Sequence, residues 1–151
     1  TSSEQAICML PVPAATALMI QDSSVRQAVS LSDEWDALGQ GSLAMGCVVA
    51  RTEYVEENPQ AVENFLTAYE ASINYMKDEA NADQASQLVA QYEITPNAKV
   101  AAAAIPQCNL TYLAGQEMRS TLEQYYQVLF QADPAAIGGS MPYDSFYYGA
   151  E

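Results

Sequence analysis

Histidine is absent from all 151 residues. Its absence removes the commonest general base, the commonest transition-metal ligand and the usual pH switch. A Ser-His-Asp or Cys-His arrangement within the chain is excluded for the same reason. Basic residues are scarce too: five Lys and Arg stand against 19 Asp and Glu, for a formal charge of −14. Arg26, Arg51, Lys77, Lys99 and Arg119 lie far apart in sequence, so neither a nucleic-acid backbone nor an anionic membrane surface meets the clustered cations it needs. The three cysteines, Cys8, Cys47 and Cys108, have no C-x-x-C spacing. Cys8 and Cys47 sit inside apolar runs and are expected as buried free thiols. No apolar run approaches the length that crosses a bilayer. The run 6–20 contains Pro11 and Pro13, which does not suit a signal-peptide core, so any export signal or membrane anchor is expected outside these residues.

What remains is ample for a folded core: half the residues are hydrophobic and 16% are charged. Residues 5–10 (QAICML), 25–31 (VRQAVSL) and 43–50 (LAMGCVVA) are short apolar runs bounded by turn residues, the pattern of buried strands. Helices are expected between and after them. Pro13 fits the first turn of a helix over 14–21, and Ser32 is placed to cap a short helix carrying Asp33 and Glu34. Asn58 and Pro59 open a long helix with an apolar stripe of Val62, Phe65, Leu66, Tyr69, Ile73 and Met76. Asn81 with Gln84 has the spacing of a capping box for a helix to about Tyr92. Thr95 and Pro96 start another, ended by Pro106. Gly115 precedes a last helix striped by Met118, Leu122, Tyr125 and Leu129, and Asp133 with Pro134 stops it. The tail from Gly138 has no clear period and needs a surface to dock on. Strands alternating with helices predict an α/β fold: three layers, a mainly parallel sheet with flanking helices, and a helix-rich C-terminal half.

The acidic groups Asp33, Glu34, Asp36 and Glu53, Glu56, Glu57 lack the alternate spacing and central glycine of a calcium loop and read as solvated faces. Trp35 and the pairs Tyr125-Tyr126 and Tyr147-Tyr148 read as packing residues.

Taken in order, several segments resemble the substrate-binding proteins of the nitrate, sulfonate and taurine ABC importers, and their relatives that bind hydroxymethylpyrimidine, a thiamine precursor. They are Met9-Leu10-Pro11-Val12-Pro13-Ala14-Ala15-Thr16, Ser32-Asp33-Glu34-Trp35, Gly46-Cys47-Val48-Val49-Ala50-Arg51, Tyr54-Val55-Glu56-Glu57-Asn58-Pro59, Ala104-Ile105-Pro106-Gln107-Cys108-Asn109, and the closing Gly138-Gly139 with Phe146-Tyr147-Tyr148. Val12 departs from the family, many members of which carry an acidic residue between the two prolines. The resemblance implies a fragment of a two-lobed receptor of the type II periplasmic-binding-protein kind. Residues 1–40 would finish one lobe, 41–46 would be hinge-like, and 47–151 would return to the other.

The function implied is capture of a small solute outside the membrane, as a periplasmic or lipoprotein receptor, and delivery to ABC permease subunits. No catalysis, cofactor, metal or nucleic acid is implied. Ligand contacts are expected from Leu10, Pro11, Val12, Pro13 and Ala14, where a strand would run into a helix N-terminus. Met45, Gly46 and Asn109 complete the expected set. Two alternatives stand beside this reading. An enzyme of pyrimidine or thiamine-precursor synthesis shares the fold, but the branch in question relies on histidine and iron. A lobe used only for protein interaction is the other.

Overall fold

Side-chain caps set several helix starts. Ser30 Oγ accepts from Asp33 N at 3.2 Å, so α2 runs Leu31–Ala37 with Asp33 and Glu34 in its first turn; the expected cap, Ser32, lies inside it. Pro11 precedes α1, Val12–Gln21, with Pro13 in the first turn where no N–H is needed. A short helix that the sequence reading lacked, α3, spans Thr52–Glu57. The long helix α4 is Pro59–Lys77. Asn58 spends its amide on the carbonyl of Tyr54 at 3.1 Å, closing α3. The capping box at Asn81 and Gln84 does not form: Asn81 donates to Tyr75 O at 3.3 Å, and Gln84 accepts from the Tyr75 hydroxyl at 2.6 Å. These bonds tie α4 to α5, Ala82–Gln91. Asn97 Oδ1 accepts from Val100 N at 3.0 Å, which starts α6 at Ala98–Ala104, later than Thr95 and Pro96 suggest. The last helix, α7, is Gly115–Ala132.

The computed structural model describes residues 7–150, and all the regular structure among them is helical: seven α-helices and four short 3-10 turns. The expected α/β fold with a mainly parallel sheet is therefore overturned in favour of an all-helical one. Residues 25–30 and 43–50 are irregular, as are residues 7–10; Gln5 and Ala6 of the first expected strand lie outside the described residues. The reason is physical. A helix closes its hydrogen bonds within one segment, whereas a strand exists only with a partner that supplies the ladder. With no ladder to cover them, Cys8 and Cys47 are exposed, not buried as expected.

The chain divides into two compact units. One comprises residues up to Gln27 with Glu63–Thr111; the other comprises Ala28–Val62 with residues from Tyr112 onward. In the first unit, α6 packs on both α1 and α5. Val100, Ala101 and Ala104 of α6, Ala85 and Ser86 of α5 and Thr16 of α1 are its most buried residues. All have small side chains, which lets helix backbones approach closely but leaves little apolar area per contact. Among the described residues no large side chain is fully buried. The stripe of α4 follows suit. Ile73 is buried and Leu66 is half-buried, but Phe65 and Tyr69, expected inside, are 47% and 36% exposed. Their rings, one turn apart, stack on each other at 5.5 Å.

In the second unit the tail docks on α7. Tyr147 and Ala150 bury Leu122, with Met118, Tyr126 and Ala44 packed around them. Gln116 Nε2 donates to Ala150 O at 2.7 Å. Arg119 bonds Glu123 at 2.8 Å and also Asp144, with its guanidinium 5.0 Å over the Tyr147 ring. Gly115 permits the approach: a Cβ there would stand 3.0 Å from Gly149 O, and its φ is +56°.

Candidate functional site

The first unit holds a cleft of about 530 Å³. The end of α4 supplies Met76 and Lys77, and the following turn supplies Asp78 and Glu79. Ala102 of α6, then Ile105, Pro106, Asn109, Leu110 and Thr111, form the opposite wall. The sequence builds this corner locally. After α6 the chain tightens into a 3-10 turn, Ile105–Gln107, where Pro106 ends the α-helical pattern. Gln107 Nε2 donates to Ala103 O at 2.8 Å, satisfying a carbonyl left free at the helix end. Asn109 then takes φ +49°. Asparagine tolerates this left-handed conformation better than most residues. The backbone turns there, and Asn109, which is exposed, lines the cleft.

Chemically the cleft combines an apolar wall of Ile105, Pro106 and Leu110 with a polar rim. Lys77 offers three N–H donors, Thr111 a hydroxyl, and Asn109 an amide that both donates and accepts. Asp78 Oδ1 is occupied by Ala80 N at 2.9 Å, while Lys77 makes no ion pair among the described residues. Beside the cleft, burial pushes the Cys108 thiol up from its ordinary pKa, which disfavours the reactive thiolate. The arrangement suits holding a small molecule by hydrogen bonds against an apolar surface.

Of the residues expected at a ligand site, Asn109 lines this cleft. Leu10, Pro11, Val12, Pro13 and Ala14 lead into and form the first turn of α1 in the same unit, but do not line it. Val12 is half-buried and the other four are exposed. Met45 and Gly46 belong to the second unit, in an irregular and exposed segment. Sequence reasoning missed Lys77 and Thr111, because a lysine in a helix's last turn is ordinary dipole chemistry. Among the described residues no three Cys, Asp or Glu side chains gather as a metal site. Comparison of the chain with protein-family models, with curated proteins and with solved structures gives no match.

The second unit carries a shallower groove of about 540 Å³ between the 39–41 turn and α7, lined by Gln40, Glu123, Gln124, Gln127 and Gln131. Trp35 Nε1 donates to Gly41 O at 2.9 Å and fixes that turn. Gly41 has φ +85°, and a Cβ on it would stand 2.5 Å from the Gln124 Oε1 atom. Nearby, Tyr126 has its hydroxyl pushed up to about 12, by burial first and then by its contact with Cys47.

Proposed function

We propose that this chain captures a small solute and makes or breaks no bond, acting outside the membrane as the receptor component of an ABC importer that passes its solute to permease subunits. The observation that carries the capture step is the cleft lined by Asn109, Lys77 and Thr111 together with the apolar Ile105, Pro106 and Leu110. The transport context rests on the resemblance of the sequence segments to solute-binding proteins alone, because the α/β fold which that resemblance implies is not the helical one found. Both signs of charge among the lining residues, Lys77 with Asp78 and Glu79, together with an amide and a hydroxyl, favour a small polar solute with an apolar body over a bare inorganic ion.

An open cleft leaves much of its ligand in water, so the chain alone should bind in the millimolar range, about 4 kcal/mol. Calorimetric or NMR titration with small sulfonates, pyrimidines and amino acids tests this. Saturable binding by one class, weakened by Asn109→Ala and by Lys77→Met, supports the reading. Absence of saturable binding by every class, or binding that both substitutions leave unchanged, would refute it.

A further inference from the structure

We propose that residues 43–50 are a self-association strand, pairing antiparallel with the same residues of a second copy of this chain. The segment, LAMGCVVA, has no charge and no proline within a chain of net charge −14. Ala44 packs on the Leu122 core and Cys47 touches Tyr126, but from Met45 onward the segment is exposed: Met45 by 73%, Val49 by 71% and Val48 by 53%. Among the described residues its one backbone hydrogen bond is Met45 N to Leu43 O, which leaves the peptide groups of 46–50 without a protein partner. An exposed, uncharged, apolar segment with free N–H and C=O groups is a template for another strand of its own kind.

Charge selects both the occupant and the direction. Two copies of so acidic a chain repel over most of their surface, but here neither brings a carboxylate. Parallel in-register pairing would set Arg51 beside the partner's Arg51, a repulsive contact. The antiparallel register centred on Gly46, which a two-fold axis allows because each copy's Gly46 then faces the other's, sets Arg51 across from the partner's Gly41. Glu123 lines the groove at Gly41, and Arg51 makes no ion pair within its own chain among the described residues. Each copy then brings its cation toward the other's Glu123, whose carboxylate already holds Arg119 through one oxygen, twice over by the two-fold symmetry.

Sedimentation of the intact chain across a wide concentration range is the test. The expected mass rises from 16.3 kDa toward twice that value. Val48→Lys with Val49→Lys should weaken association at least about tenfold, and Arg51→Glu should weaken it too, both with unchanged helical circular dichroism because these side chains are exposed. With the other two cysteines replaced by serine, Cys47 should form oxidised dimers faster than a matched chain keeping Cys8 alone. A chain that stays monomeric throughout, association indifferent to the double substitution, or faster pairing through Cys8 would each overturn the proposal. Solute binding in the first unit is a separate measurement and does not bear on it.

Discussion

Replacing Leu122 by alanine tests whether the tail docks on α7. Leu122 is 6% exposed and lies under Tyr147 and Ala150. Removing three buried carbons at about 0.8 kcal/mol each forfeits roughly 2.4 kcal/mol of transfer free energy. The cavity left behind raises the usual cost of such a change to about 2–5 kcal/mol. Met118 and Tyr126 are only half-buried around the site and can relax into the gap, so about 2–3 kcal/mol is the expected loss. Trp35, the only tryptophan, belongs to the same unit, its ring centroid 5.4 Å from that of Tyr125 on α7. Urea unfolding followed by Trp35 fluorescence therefore reads the second unit selectively. The midpoint should fall by about 1–2 M at an unchanged slope. Ile73→Ala, at a buried position of α4 in the first unit, should lower the midpoint of the transition followed by helical circular dichroism. A loss below about 1 kcal/mol for Leu122→Ala would mean the tail does not cover α7, and the core assigned to this unit would be wrong.

Three further outcomes follow from named contacts. Ala101, 0% exposed on the helix that packs on both α1 and α5, has no room for growth: Ala101→Leu should cost about 1–3 kcal/mol, read by circular dichroism on urea titration. Asn97→Ala removes the side-chain cap of α6 and should cost about 1 kcal/mol by the same measurement; a negligible change would mean the helix starts elsewhere. Tyr126, with a folded-state pKa of about 12 against an ordinary value near 10, favours the neutral, protonated form in the folded chain. Its contribution to stability is complete below about pH 10 and is lost as the pH rises through about 12. The tyrosinate absorbance missing from Tyr126→Phe should therefore be the late-titrating part of the curve. Titration of that component near pH 10 would contradict the burial of the hydroxyl.

Most helices were legible because their determinants are local. The Pro59 start and the three-and-four stripe specify α4, and the stripe around Leu122 with the Asp133-Pro134 stop specifies α7. Where several cap residues stood close together, as Ser30 and Ser32 did, the starting residue was decided by which oxygen reached an N–H. Asn109, expected among the ligand contacts, lines the cleft. Lys77 and Thr111 were not expected there, because nothing in their own neighbourhoods says that the turn after α4 meets the turn after α6.

The sequence by itself determined composition-level properties and local helices: the acidic surface, the absence of histidine chemistry, and helices whose hydrogen bonds close within one segment. Only the tertiary structure decided the fate of the apolar runs 7–10, 25–31 and 43–50. Their residues favour strands, but a strand's backbone groups must be satisfied by another segment. No described segment supplies that ladder, so these runs remain irregular, apart from Leu31, which begins α2, and apolar side chains such as Met9, Val29 and Val49 stay exposed.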